Sequence, residues 1–293
     1  MFEALRERNH PLFAHIHMST ITHNYINNAG YIDSLVKKFF KNFFIKNFNK
    51  NTIIIFYADH SIRFGPSLKS KVAYYETKLP AFQVYIPNDL NLMDNNGKII
   101  NSYDIKNNLK YNSRKLTSHL DVHATMMHVL NKFPGIDEKY GQSLFLPINE
   151  NRTCKDAGIS DEYCACQTWE DIDEYENSEK LAKETIKHIN KLLIKFQNKC
   201  LPLTFHNVTS FKIRSDYKNH LKQSDRLFTI DFITKPNNAN FRAIIQENST
   251  NILSTPKIDR LDRYGKQSKC VAGNTVEQYC YCKDLLTKNT TSY

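Results

Sequence analysis

An unbroken apolar run, residues 53–56, leads after two further residues into the acidic and imidazole side chains of Asp59 and His60. Isoleucines without polar interruption are typical of a strand buried on both faces. In an open α/β sheet, ligands bind just beyond the carboxyl ends of the strands. A carboxylate and an imidazole are two of the ligand types that zinc accepts. The pattern therefore predicts a metal-binding strand end, and its plainer interpretation is a strand followed by a polar turn.

Two further features follow this strand. Lys71 stands five residues before Glu76, and a second hydrophobic run, residues 82–86, ends at Pro87. This order resembles the sulfatase-like branch of the alkaline phosphatase superfamily, in which a buried strand ends in Ser-Asp-His-Gly, a lysine precedes a Tyr-Glu pair, and a hydrophobic strand ends in proline. The resemblance implies an α/β fold with a parallel-rich sheet and helices on both of its faces.

Other motifs are similar to those of a group of secreted animal proteins of unknown function within this branch. That group has Thr-His-Asp, Ser-Asp-His-Gly-x-Arg, Asp-Val-His-Ala-Thr, and Arg-Thr-Cys followed by Cys-x-Cys. The matching segments of this chain are Thr22-His23-Asn24, Ala58-Asp59-His60-Ser61-x-Arg63, Asp121-Val122-His123-Ala124-Thr125, Arg152-Thr153-Cys154 and Cys164-Ala165-Cys166. The matches keep the same order along the chain, which makes the resemblance specific.

The resemblance implies a metal-dependent hydrolase of phosphate or sulfate esters. Asp59 and His60 would hold a divalent metal, zinc or calcium, and the substrate would be a small anionic ester. The side chains implied for substrate binding are His23, Arg63, Lys71 and His123. Other interpretations stay open for three of them. Arg63 and Lys71 compete for the same oxyanion, Lys71 suits a solvated loop equally well, and His123 suits helix packing or capping.

Enzymes of this superfamily carry a metal-binding acid and a Ser, Thr or modified Cys nucleophile near the start of the catalytic domain. Metal coordination is what activates such a nucleophile. No pair of this kind at a strand end precedes Asp59 in this sequence. We therefore expect the chain to be the C-terminal portion of a hydrolase homologue, in which Asp59 and His60 are half of a metal site and no catalytic nucleophile is present.

Two departures from the family pattern favour an alternative without catalysis. Asn24 stands where the family has aspartate, which weakens any metal role there, and Ser61 stands where it has glycine. A residue with a side chain makes the turn beside the metal ligands less adaptable than glycine would. The alternative is a secreted protein that uses the same fold for binding.

Six of the seven cysteines form two units with the same spacing of ten and then two residues. The cysteines are Cys154, Cys164 and Cys166 in the first unit, Cys270, Cys280 and Cys282 in the second, and Cys200 between them. Zinc sites usually pair cysteines as Cys-x₂₋₄-Cys, which Cys-x-Cys matches poorly. An extracellular disulfide framework fits better, so all seven are disulfide candidates, and their connectivity stays open.

Further features bear on localisation. Residues 1–8 lack the basic-then-apolar pattern of a signal peptide, and no apolar run approaches the length of a transmembrane helix. Four glycosylation sequons lie in or beside the cysteine-rich part, at Asn151, Asn207, Asn248 and Asn289. Together with the cysteines they predict an extracellular or secretory-pathway protein.

Strand and helix patterns alternate before residue 150 and change character after it, which predicts two domains. Residues 1–150 would form part of the sulfatase-like α/β domain, with strands at 12–18, 52–57 and 81–87 and a helix over 32–48. Ser118 or Thr117 would cap a second helix that runs over Val122, Met126 and Leu130. Residues 151–293 would form a disulfide-stapled α+β domain. Its expected elements are a long amphipathic helix within 169–200 and strands at 203–213, 226–234 and 241–246.

The net charge of +10 raises the question of nucleic-acid binding. The 40 basic residues are scattered among 30 acidic ones, and those at 37, 38, 41, 46 and 50 suit the solvated face of one helix. We therefore expect no nucleic-acid partner. Nothing in the sequence indicates an oligomeric state.

Overall fold

The computed structural model describes residues 11–18, 21–23, 25–62, 65, 68, 70–94, 96–130, 139–172, 177–215, 226–247 and 252–288. It divides into two compact units, residues 1–48 and 49–293. The predicted domain boundary at residue 150 stays a prediction. Within the described ranges, none of the helices combines the length and apolar character needed to cross a bilayer.

The first unit is built around one helix. A short 3₁₀ turn, Ile26–Asn28, leads into α1, Ala29–Ile45, which confirms the helix predicted from the apolar stripe. Of that stripe only Phe43 is buried, and Phe39 packs against it with ring centroids 6.0 Å apart. The strand predicted at residues 12–18 is wrong. This segment is irregular and exposed, with Phe13 78% accessible, and no strand is assigned among the described residues of this unit to pair with it.

The second unit contains three sheets among its described residues, and every strand pairing in them is antiparallel. The first two sheets are β1 with β2 and β3 with β4, and the third has the order β5-β6-β7-β8-β9. The strands are β1 (Ile54–Tyr57), β2 (Phe82–Tyr85), β3 (Asn91–Met93), β4 (Ile99–Asn101), β5 (Trp169–Asp171), β6 (Thr204–Arg214), β7 (Arg226–Lys235), β8 (Asn240–Glu247) and β9 (Ile252–Arg260). The parallel-rich sheet expected from the resemblance is therefore wrong, and the structure is a mixture of helices and antiparallel sheets.

The connection between β1 and β2 explains this difference. A parallel pair needs a crossover element that packs on the face of its own sheet. The one helix described between them, α2 (Lys71–Glu76), packs elsewhere, because Ala73 belongs to an apolar cluster with Leu68 and Leu261. The chain therefore returns beside β1 in the opposite direction. β1 is also not buried on both faces as predicted, since Phe56 at its centre is 44% exposed.

The hydroxyl of Tyr74 fixes α2 against the segment that contains β5. It accepts from the Trp169 indole N–H at 2.8 Å and donates to the carbonyl of Gln167 at 3.3 Å. Burial raises the pKa of the Tyr74 hydroxyl, so it keeps the proton that the second bond requires. Lys78 adds an ammonium contact to the carbonyl of Cys164 at 3.2 Å.

Two helices with caps at their N-termini lie in the sequence between β4 and residue 130. In α3 (Ser102–Asn112), the Asn101 side chain accepts from the Asp104 N–H, and the Asp104 carboxylate accepts from the Asn101 N–H in return. The fourth helix, α4 (His119–Val129), starts after Ser118, as predicted. Reciprocal caps satisfy backbone donors that a helix start otherwise leaves without partners.

The five-stranded sheet and α5 (Ser178–Leu193) enclose the largest apolar core. The strand predictions at β6, β7 and β8 are confirmed, whereas β9 was not predicted. Alternate residues of β7 and β8 point into the core, and α5 covers them with one apolar face. The residues involved include Phe228, Ile230, Phe232, Phe241, Ala243, Ile245, Leu181, Ile186, Ile189 and Leu193. Full burial of each large side chain contributes on the order of 1.5–3 kcal/mol.

Short helical elements also follow α5, one of them directly and the others after β9. They are the 3₁₀ turns Ile194–Phe196, Lys269–Val271 and Glu277–Tyr279 and the helix α6 (Asp284–Lys288). The predicted long helix within 169–200 is therefore shorter than expected, because residues 169–171 form β5 instead.

Candidate functional site

The candidate site begins where β1 ends. The N–H of Ala58 donates to the carbonyl of Ala81 at 2.9 Å, which continues the pairing of β1 with β2 by one residue. Asp59 and His60 follow directly, with side chains 65% and 36% exposed. The end of this strand thus presents a carboxylate and an imidazole to solvent, next to each other.

The ring of His60 is oriented by its own turn. Nδ1 lies 2.6 Å from the carbonyl oxygen of Ser61, and Nε2 lies 3.4 Å from Oδ2 of Asp59. A carbonyl can only accept, so Nδ1 carries a proton. The contact of Nε2 with the Asp59 carboxylate is an ion pair when Nε2 is also protonated, and in the neutral ring the Nε2 lone pair is available to a cation held between the two groups. Metal-binding histidines are commonly fixed in this way by a carbonyl behind the ring.

The spacing of these two atoms can be compared with that of metal ligands. Two ligands of a tetrahedral zinc, each bound at about 2.1 Å, lie about 3.4 Å apart. The distance of 3.4 Å between His60 Nε2 and Asp59 Oδ2 matches this value. Among the described residues, the groups of three or more possible metal ligands are both cysteine clusters. Asp59 and His60 therefore fit a metal as two ligands of an incomplete set.

The structure brings a further histidine to this strand end. His119, the first residue of α4, places Nε2 3.2 Å from the carbonyl oxygen of Ala58, and its ring packs edge-on to Tyr57 with centroids 6.4 Å apart. His119 is not among the residues that the sequence resemblance implies for the site. The cap at Ser118 predicts that residue 119 starts a helix, but it does not indicate which strand end that helix start approaches.

A buried ion pair holds the start of α4 in place. The carboxylate of Asp121 contacts two guanidinium nitrogens of Arg152 at 2.8 and 2.9 Å, and their side chains are 0% and 2% exposed. Asp121 also accepts from the backbone N–H groups of Ser118 and Gln142. Since Ser118 directly precedes His119, this network fixes where His119 meets the strand end.

The Asp-Val-His-Ala-Thr motif divides its residues between the interior and the surface. Thr125 donates its hydroxyl proton to the carbonyl of Asp121 at 2.6 Å and accepts from the N–H of Leu144 at 2.8 Å. Val122 and Ala124 are buried, whereas His123 is exposed. Four of the five residues thus support the fold, and His123 alone faces solvent, one turn after His119 on the same helix face.

The described structure does not test the other three residues implied for substrate binding. Arg63 lies outside the described residues. Lys71 is the first residue of α2, and its side chain lies outside the description. His23 is exposed within the first unit. The roles expected for these three residues stay predictions.

The cysteines form three disulfides, Cys154–Cys164, Cys200–Cys280 and Cys270–Cys282. This confirms the disulfide interpretation for six of the seven candidates. Cys166 is an exposed free thiol, so its prediction as a disulfide cysteine is not met by this structure. The two units with equal spacing therefore pair their cysteines differently.

Two of the predicted glycosylation sites can be placed. Asn151 and Asn207 are both exposed, Asn207 at an irregularity in the pairing of β6 with β7. Asn248 and Asn289 lie outside the described residues. Exposure is what attachment of a glycan requires, and glycosylation itself stays a prediction.

Fold and site together define a disulfide-bonded protein of mixed helices and antiparallel sheets. The chain belongs to a family described as protein of unknown function (DUF229), whose model matches residues 3–209. No curated protein and no solved structure matches the chain.

Proposed function

We propose that the chain contributes two metal ligands, Asp59 and His60, to a sulfatase-like hydrolase of phosphate or sulfate esters. The observation that carries this proposal is the orientation of His60. Its Nδ1 is engaged by the Ser61 carbonyl, and its Nε2 lies 3.4 Å from Asp59 Oδ2. This distance matches that between two ligands of one zinc ion, and it also suits an ion pair between Asp59 and a protonated His60, so a direct zinc titration is needed to distinguish the two.

The ester would be held beside this pair. His119 contacts the strand end through Ala58, and His123 is exposed one turn further along the same helix. His123 would donate an imidazole N–H to an anionic oxygen of the phosphate or sulfate. His119, whose Nε2 faces the Ala58 carbonyl, would donate through Nδ1 when its ring is protonated. A bound divalent metal, zinc or calcium, supplies Lewis-acid polarisation of the ester. The nucleophile and the remaining ligands would come from another segment of the protein.

Isothermal titration calorimetry of zinc binding to the disulfide-intact chain tests this proposal. The chain should carry a Cys166→Ser replacement, because a free thiol also binds zinc. We expect one weak site that is lost in Asp59→Asn and in His60→Asn. The same chain should give no turnover of 4-nitrophenyl phosphate or sulfate, and turnover would overturn the assignment of the nucleophile to another segment.

Matched controls are available elsewhere in the chain. Asp89 and His188 are exposed residues of the same types, and Asp89→Asn and His188→Asn should leave zinc binding unchanged. If the Asp59 and His60 variants bind zinc like the unsubstituted chain, the metal proposal is wrong.

A secreted binding protein without catalysis is the second candidate. It is favoured by the roles of Asp121 and Thr125, which are engaged in the buried contacts of α4 rather than in a reactive site. The departures at Asn24 and Ser61 point the same way. A chain that binds no metal at Asp59 and His60 would favour this candidate.

An extracellular or secretory location is part of both candidates. Three disulfides are compatible with an oxidising compartment, where such bonds form and persist. Secretion from cultured cells, with peptide mapping of glycans at Asn151 and Asn207, tests this part.

A further inference from the structure

We propose that Cys154, Cys164 and Cys166 form a thiol–disulfide exchange site that reacts with external disulfides. In this site one free thiol is carried by Cys166, where solvent reaches it, or by Cys164, where it is buried. Which of the two is free depends on which one is bonded to Cys154. The proposal is independent of the metal site at Asp59 and His60.

The first support is the proximity of the three sulfur atoms. The Sγ atoms of Cys154, Cys164 and Cys166 all lie within 4.8 Å of one another. Cys154 and Cys164 are bonded, Cys164 is 3% exposed, and Cys166 is the exposed free thiol. A thiol held beside a disulfide reacts with it as an intramolecular group, at a high effective concentration.

The second support is the pairing in the other cysteine unit. There the cysteine that corresponds to Cys166, namely Cys282, is bonded to Cys270, which corresponds to Cys154. Cys280 is bonded to Cys200 instead, although its Sγ lies only 3.7 Å from that of Cys270. The first unit bonds its first cysteine to its second, and the second unit bonds its first cysteine to its third. A unit with this spacing can therefore form either of the two bonds.

The backbone around the trio is fixed on both sides. Lys78 donates to the carbonyl of Cys164 at 3.2 Å, and Tyr74 donates to that of Gln167 at 3.3 Å. On the other side, the carbonyl of Cys154 accepts from the N–H of Ile159 at 2.8 Å. These anchors keep the three sulfur atoms together while the bond between them changes.

The internal step is balanced and requires no oxidant. The Cys166 thiolate attacks Sγ of Cys154, the Cys154–Cys166 bond forms, and the Cys154–Cys164 bond breaks. Cys164 leaves as a thiolate and takes up a proton. With an external disulfide, the Cys166 thiolate attacks one of its sulfurs, forms a mixed disulfide and releases the other half as a thiolate.

Peptide mapping of the whole oxidised chain tests the internal step. The chain is incubated at mildly alkaline pH, treated with N-ethylmaleimide to block free thiols, and digested without reduction. We expect both Cys154–Cys164 with label on Cys166 and Cys154–Cys166 with label on Cys164. The Cys200–Cys280 and Cys270–Cys282 bonds should stay intact. Recovery of the Cys154–Cys164 form alone would overturn the exchange.

Two variants make the test sharper. In Cys164→Ser, we expect a Cys154–Cys166 bond and no labelled thiol. The matched variant Cys166→Ser should retain the Cys154–Cys164 bond and should also show no labelled thiol. Equal melting temperatures for the two variants would show that neither has lost its fold. Two labelled thiols in Cys164→Ser would show that the alternative ring does not close, and the proposal would be wrong.

Oxidised glutathione is the probe for the external reaction. We expect a glutathione adduct on Cys166 of the unsubstituted chain and no adduct on either variant. An unsubstituted chain that stays unmodified while its Cys166 still reacts with N-ethylmaleimide would contradict reactivity toward disulfides.

Discussion

Arg152 and Asp121 form a two-point ion pair, with Nη2 2.8 Å from Oδ1 and Nη1 2.9 Å from Oδ2, in an environment closed to solvent. Arg152 belongs to the Arg-Thr-Cys motif and Asp121 to the Asp-Val-His-Ala-Thr motif, 31 residues apart in sequence. The pair therefore joins the first cysteine unit to the helix whose first residue, His119, reaches the end of β1.

Breaking this ion pair should be strongly destabilising. Asp121→Asn leaves the Arg152 guanidinium charged and buried without its counter-charge, which costs about 3–5 kcal/mol. Urea unfolding without reductant, followed by the fluorescence of Trp169, the only tryptophan of the chain, measures the change. The matched control is Glu179→Gln, which breaks an exposed pair with Lys183 and should cost less than about 0.5 kcal/mol. Equal effects of the two substitutions would contradict the assigned role of Asp121.

Loss of the Thr125 hydroxyl should lower the free energy of unfolding even when the volume of the side chain is kept. Thr125→Val keeps the shape of the side chain but leaves the buried N–H of Leu144 without its acceptor, which costs about 1–3 kcal/mol. Thr275→Val at an exposed position should change the free energy of unfolding by less than about 0.5 kcal/mol. The same urea experiment compares the two variants. If Thr125→Val leaves the free energy of unfolding unchanged, water has replaced the lost acceptor.

The disulfides should differ in their contribution according to the loops that they close. Cys200–Cys280 spans 80 residues and Cys270–Cys282 spans 12. Chain entropy gives about 4.5 kcal/mol for the longer loop and about 3 kcal/mol for the shorter. Replacing both partners of each bond by alanine leaves no new free thiol. The pair Cys200→Ala and Cys280→Ala should therefore lower the urea midpoint more, and the reverse order would contradict this ranking.

The carboxyl group of Asp156 should titrate below its ordinary range. Hydrogen bonds from the hydroxyl and the backbone N–H of Thr153, at 2.7 and 3.0 Å, lower the pKa of Asp156. Because the unfolded chain takes up the proton first, this contribution to stability is complete above the ordinary aspartate pKa of 3.8 and is lost as pH falls through the lowered pKa. Carboxyl NMR titration should show the pKa rise in Thr153→Val and stay low in Thr153→Ser. An unchanged value in Thr153→Val would assign the shift to another cause.

Local patterns in the sequence predicted local structure well. The helix at α1, the start of α4 and the strands β6 to β8 follow from the spacing of apolar residues and from caps, which lie close together in the chain. β9 was missed because Pro256 interrupts its pattern. In the structure Pro256 falls where the pairing of β8 with β9 shifts register, on an edge strand, the place in a sheet where proline is tolerated.

The partners of the strands and the burial of their side chains could not be predicted from local sequence patterns. The run at residues 53–56 predicted a buried parallel strand, but pairing depends on where the chain goes after Asp59, and it returns to an antiparallel neighbour. The Asp59–His60 pair was visible in the sequence, whereas the approach of His119 to Ala58 joins residues 61 apart. The pairing of the cysteines also depends on such distant contacts, so it stayed open until the structure was known.

Localised binding of a paramagnetic metal tests the proposed metal site at the end of β1 most directly. Mn²⁺ prefers oxygen ligands such as carboxylates to thiols, and its unpaired electrons broaden the NMR signals of nearby amides. We predict that the amides of Asp59, His60 and His119 broaden first during a Mn²⁺ titration of the disulfide-intact chain, and that Asp59→Asn abolishes the effect while Asp89→Asn does not. Unaffected signals at Asp59 and His60, or equal broadening in Asp59→Asn, would contradict a metal site at the end of β1.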